Sequence, residues 1–135
     1  MERFVAVQEA VYADALAELR RGRKQSHWMW FVFPQLAGLG RSPTASFYAI
    51  ASAAEARAYL AHPLLGPRLV ECAETLLAGN ERSAEAIFGL VDAMKLRSSM
   101  TLFAAVAADP APFAAVLAAF FGGERDPATL RLLDG

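Results

Sequence analysis

One cysteine, two histidines and two lysines are all that 135 residues hold of three side chains that often carry chemistry. The single thiol, Cys72, closes no internal disulfide, which suits a reducing cytoplasm. His27, His62 and Cys72 have no ligand spacing, so neither a metal site nor a metal cofactor is expected. There is no phosphate loop ending in Gly-Lys-Ser/Thr, no dinucleotide-binding glycine fingerprint and no nucleophile elbow; Gly38-Leu39-Gly40 is too short to cradle a phosphate. Neither sign of charge dominates. A formal charge of −1 and a pI of about 6.1 give no strong pull toward nucleic acid or an anionic membrane, so neither is expected as a partner. Residues 1–10, "MERFVAVQEA", carry charge where a signal peptide has its apolar core, and a cytoplasmic location is expected. The one long apolar run, Thr101 to Phe121, is broken by Asp109, Pro110 and Pro112; it reads as two buried helices joined by a turn, not as a membrane span.

What the chain does have is apolar mass, 56 % of its residues, enough for one domain over 1–135 with its own core. Helix signals dominate. Phe4, Val11, Tyr12, Ala15, Leu16 and Leu19 repeat at the spacing of one helical face over Glu2–Arg21, and Gly22 stops the run. Gln8 lies on that face and must find partners there. Ser26 is placed to cap a short buried helix over Ser26–Phe33, although the apolar run by itself fits a strand equally well. Further starts are read at Ser42-Pro43, at the capping box Ser52–Glu55, at Pro67, at Ser83, at Asp92, at Asp109 or the prolines after it, and at Asp126-Pro127. No stretch alternates and no repeat or linker appears. The expected fold is all-α, a single compact domain of about eight short helices.

Two stretches carry the chemistry. In the first, Lys24 to Gln35 ("KQSHWMWFVFPQ"), a lysine and a histidine precede four aromatics and a glutamine follows them. Trp28 and Trp30 each need a partner for the indole N–H, and Lys24 and His27, three apart, are expected on one helix face at the rim of an aromatic pocket. In the second, Asp92, Lys95, Ser98, Ser99 and Thr101 follow one another. Eleven of the thirteen strong cations are arginine, so Lys24 and Lys95 stand out as places where a compact ammonium is retained. Lys95 falls in the first turn of a helix, the unfavourable end of the dipole for a cation, and the serines after it do not raise helix propensity. Three local rules broken together point to a site. The bland readings are a surface Asp92–Lys95 pair, a core histidine at 27 and tryptophans that only pack. Arg20 to Lys24 is basic, but at a helix C-terminus, where cations are expected anyway.

Three blocks, residues 26–40 ("SHWMWFVFPQLAGLG"), 58–69 ("AYLAHPLLGPRL") and 95–103 ("KLRSSMTLF"), resemble the domain-of-unknown-function family eighteen-ten, small and mainly helical proteins that are chiefly bacterial. The resemblance spans nearly the whole chain and implies an all-helical fold. It implies no reaction. The calpastatin label sometimes attached to the family finds no support in repeats or composition here. One departure stands out: the family usually has a proline before the aspartate, where this chain has Val91, which loosens the turn expected before Asp92.

Together these readings predict a cytoplasmic domain that binds or acts on a small polar anion, nucleotide-like or phosphorylated, between the two stretches. Lys24 and Lys95 would hold the anion, and Gln35, Ser98, Ser99 and Thr101 would supply hydrogen bonds. Trp28 and Trp30 would form a wall, and His27, Asp92 and Lys95 would do any proton transfer. The alternative is a non-catalytic interaction or oligomerisation module whose polar cluster only fixes helix packing.

Overall fold

The structure is a computed structural model that describes residues 1–134. Among them run nine helices: α1 Glu2–Arg21, α2 Met29–Val32, α3 Pro43–Phe47, α4 Ala53–Ala61, α5 Leu65–Ala78, α6 Ala84–Phe88, α7 Leu90–Val106, α8 Ala111–Phe121 and α9 Pro127–Asp134. No strand occurs in the described residues; an isolated parallel bridge joins Leu36 to Ile50. No helix among the described residues is long and apolar enough to cross a membrane.

Helix α7 is the centre. From Ser98 to Ala104 every residue is buried, because α4, α6, α8 and α9 all pack against it. Helix α5 lies between α1, α4 and α8. The apolar stripe of α1 ends at Gly22, whose φ of 74° lets its N–H turn back to the Leu19 carbonyl. Where α4 meets α5 the backbones nearly touch: a β-carbon on Gly66 would stand 2.0 Å from the Leu60 carbonyl oxygen. Phe4, Tyr59, Phe103 and Phe113 form a chain of ring contacts through the core, with centroids 5.2 to 5.9 Å apart.

The expected starts at Ser42, Ser52 and Ser83 are present as hydroxyls that accept from Ala45, Glu55 and Ala86 N–H groups. Two local expectations are corrected. The helix read over Ser26–Phe33 shrinks to Met29–Val32, because Ser26 is bound by Glu18 rather than capping the aromatics. Asp92 is not a cap: α7 begins two residues earlier after Gly89, and the aspartate sits inside its first turn. His62 Nδ1 accepts from Leu64 and Leu65 N–H groups at 3.1 and 3.3 Å where α5 begins.

Candidate functional site

The site is built outward from Glu18, a carboxylate on the buried face of α1 and only 4 % exposed. Its Oε1 accepts from Gln25 N–H at 2.6 Å, Ser26 N–H at 2.9 Å and the Trp28 indole at 3.0 Å, while Oε2 accepts from the Ser26 hydroxyl at 2.5 Å. Burial alone would raise its pKa; these hydrogen bonds outweigh burial and hold it at about 2. The loop after α1 is thereby wrapped round one side chain. That wrapping turns Trp28 into the core, 1 % exposed and against Phe33 and Phe88.

It also aims Lys24 at α7. The Lys24 N–H donates to the Ile87 carbonyl at 2.8 Å, and its ammonium donates to the Ser26 carbonyl at 2.6 Å and pairs with Asp92 Oδ2 at 2.9 Å. Asp92 Oδ1 pairs with Lys95 at 3.1 Å, and the Lys95 ammonium stands 4.0 Å from the centroid of the Trp30 ring. The two stretches therefore meet, through one aspartate shared by both lysines. Burial pushes the Asp92 carboxyl up, but the two ammoniums more than offset this and its pKa lies below the ordinary value.

Beside this triad lies a pocket of about 510 Å³, between the segment from Gln35 to Ala45, which runs into α3, and the first half of α7. Trp30, Gln35, Arg41, Lys95, Ser98 and Asp126 supply its polar lining, and Leu39, Ala45, Val91, Met94 and Ala128 are among the apolar groups around them. Asp126 is occupied. Its Oδ2 accepts from the Ser98 hydroxyl at 3.0 Å, Thr129 N–H at 3.2 Å and the Thr129 hydroxyl at 2.5 Å, which caps α9. Burial acts to raise its pKa, and those bonds lower it below the ordinary value. The other polar groups are less engaged. Among the described residues, the Trp30 indole N–H, the Gln35 carboxamide and the Arg41 guanidinium make no hydrogen bond, and Lys95 makes one.

Of the ten residues singled out from the sequence, Trp30, Gln35, Lys95 and Ser98 line this pocket. Lys24 and Asp92 lie behind Lys95 and do not line it. Ser99 is fully buried with its hydroxyl unpartnered, and Thr101 is buried with its hydroxyl accepting from Asp126 N–H at 2.9 Å. His27 is exposed and outside the pocket; it shares no helix face with Lys24, because residues 22–28 are the loop around Glu18. Asp92 has both oxygens held by ammoniums, which makes it a poor base and a good anchor.

Sequence reasoning missed Glu18, Arg41 and Asp126 as parts of this arrangement. Glu18 had a signal: it stands three residues beyond Ala15 and seven beyond Val11, on the apolar stripe where Gln8 also lies. Gln8 itself is satisfied structurally, donating to the Phe31 carbonyl at 2.8 Å and to the Tyr59 hydroxyl at 3.1 Å. Tyr12 of α1 with Arg68 and Glu71 of α5 extends that second polar cluster between the two helices, with Arg68 over the Tyr12 ring at 4.6 Å and the Tyr12 hydroxyl donating to Glu71.

The model of a family described as "Protein of unknown function (DUF1810)" matches residues 1–133. The chain is similar to a solved structure, that of the conserved hypothetical protein Rv1873 from Mycobacterium tuberculosis. The two are 53 % identical over 99 % of this chain and 96 % of the other, with a TM-score of 0.97. No curated protein matches. A family match from the first residue almost to the last, with a shared fold at this identity, means that the chain belongs to the DUF1810 family.

Proposed function

We propose that this protein binds a small anionic metabolite in the pocket between the Gln35–Ala45 segment and α7, in the cytoplasm, with Lys95 as the principal cation. One observation carries the reading. Donors gather on the lining: among the described residues the Trp30 indole, the Gln35 carboxamide and the Arg41 guanidinium have no internal partner and Lys95 has one in Asp92, while the lining carboxylate, Asp126, already accepts three hydrogen bonds on Oδ2. A lining with more open donors than open acceptors favours a guest rich in acceptors. Its volume of about 510 Å³ suits a metabolite rather than a bare ion. Lys24 and Asp92 act as positioning residues that hold the Lys95 ammonium at the rim, and Gln35 and Ser98 complete the polar side.

The test is a thermal-shift comparison of wild type with Lys95→Met across nucleotides, sugar phosphates and small carboxylates. A ligand that raises the wild-type midpoint by several degrees, and does not shift a mutant that folds equally well, supports the reading. If no compound distinguishes the two proteins, the reading falls.

A second reading, an interaction module, rests on Leu90, Val91 and Met94, which are 63 %, 65 % and 63 % exposed on the first turns of α7. Leu90 belongs to this patch but not to the pocket lining. Self-association in sedimentation that Leu90→Ser abolishes would favour that reading, and a monomer at every concentration would remove its oligomeric form.

A further inference from the structure

The polar half of the pocket accounts for an anion; its other half is apolar and open to water. Val91 and Met94 are two of the five exposed large hydrophobic residues among those described, and both stand on the lining beside Lys95. Leu39, Ala45 and Ala128 continue that surface toward the loop and α9. With Val91 65 % and Met94 63 % exposed, this is one contiguous apolar surface, and covering it with an apolar group is favourable. A compact polyol phosphate would use the donors and leave that surface wet. A purely apolar guest would cover it and strip water from the Trp30 indole, the Gln35 carboxamide, the Arg41 guanidinium and the Lys95 ammonium. Only a molecule with both characters leaves neither half unsatisfied.

We infer that the ligand of this pocket is an amphipathic anion: a carboxylate, sulfonate or phosphate head against Lys95 and Arg41, joined to an apolar body that lies over Val91, Met94 and Leu39. This deepens the anion-binding reading above and rests on it. The Lys95 ammonium already stands over the Trp30 ring, so the body lies against the aliphatic side of the pocket and the indole contributes its N–H. Val91 and Met94 are the residues that discriminate such a molecule from a sugar phosphate.

The experiment is fluorescence titration of the full chain with 8-anilinonaphthalene-1-sulfonate, which has an apolar body and an anionic head. N-phenyl-1-naphthylamine, with the same kind of body and no anion, is titrated beside it. Inorganic phosphate, an anion with no body, is followed by thermal shift. Lys95→Met, the double variant Val91→Ser/Met94→Ser and Leu90→Ser are compared with wild type after circular dichroism has established equal folding. The sulfonate is expected to bind once per chain, about tenfold more weakly in Lys95→Met and about fivefold more weakly in the double variant, with Leu90→Ser unchanged. The neutral dye is expected to bind at least about tenfold more weakly than the sulfonate and to ignore Lys95→Met.

Suppose phosphate stabilises the wild type, loses that effect in Lys95→Met, and the double variant binds the sulfonate like wild type. The pocket then takes anions without regard to a body; the amphipathic inference is overturned while the anion-binding reading stands. If neither the sulfonate nor phosphate distinguishes Lys95→Met from wild type, both are overturned.

Discussion

Glu18 holds a loop that has no helix to hold it. Four donors converge on its carboxylate, and without them residues 22–28 would have to find other partners for two backbone N–H groups and an indole. Glu18→Gln replaces one acceptor oxygen by an NH₂ group that faces donors. A carboxyl held at about 2 against an ordinary 4.5 corresponds to a loss on the order of 3 kcal/mol, read from urea unfolding at pH 7. The lysines differ in kind. The Lys24 side chain is 8 % exposed and that of Lys95 18 %, and Lys24 has an additional bond to the Ser26 carbonyl. Either variant leaves Asp92 one ammonium, so the difference lies in burial and in the Ser26 bond: Lys24→Met should destabilise by about 2–3 kcal/mol and Lys95→Met by about 1 kcal/mol or less. Equal losses would mean that Lys95 is a strut rather than a residue held out for a ligand.

Among the elements, the helices came through from sequence where a stripe and a stop signal coincided, as in Glu2–Arg21 with Gly22, or where a serine met its N–H three residues on, as at Ser52. The aromatic stretch did not, because apolar run length cannot tell a helix from a loop threaded through a core, and Glu18 overrode the local cap at Ser26. The same limit governs the candidate site. Lys95 and Ser98 were visible because they break helix rules, and Trp30 and Gln35 because polar ends flank an apolar run. Arg41 and Asp126 gave no local signal for a pocket, since only the tertiary packing brings 35–45, α7 and α9 together. Gly66 belongs to this scale as well. Gly66→Ala puts a methyl 2.0 Å from the Leu60 carbonyl oxygen and forces α4 and α5 apart, for a loss of about 3 kcal/mol. At Gly79 the nearest backbone oxygen is 3.6 Å from an added β-carbon and φ is −74°, so Gly79→Ala should stay within about 1 kcal/mol of wild type. Denaturation midpoints of the pair check both values.

Across the whole molecule, carboxylates fasten helices to the segments that local propensity does not fix. Glu18 holds the loop after α1, Glu55 takes Arg3 of α1 and the Ala51 N–H, Asp92 joins that loop to α7, and Asp126 joins α9 to α7. All four are lowered: burial acts to raise each, and their hydrogen bonds and cations outweigh it. Groups lowered on folding contribute stability that is present above their ordinary values and is lost as pH falls through the folded ones. The loss should begin near the ordinary 4.5 and 3.8 of these side chains and continue toward the value of about 2 at Glu18. The alkaline side has the opposite sign. Burial pushes the Cys72 thiol from 9.0 up to about 12 and raises the phenols of Tyr12 and Tyr59, so their contribution is complete below the ordinary values and fades as pH rises above them. Urea midpoints should be flat from about pH 5 to about pH 9 and fall on both sides. Glu18→Gln should lower the plateau and flatten the acid limb, because the largest single contributor to that slope is gone. Cys72→Ala should move the onset of the alkaline limb upward toward the ordinary phenol value of 10.0. An acid limb as steep in Glu18→Gln as in wild type would transfer the linkage to Glu55, Asp92 and Asp126.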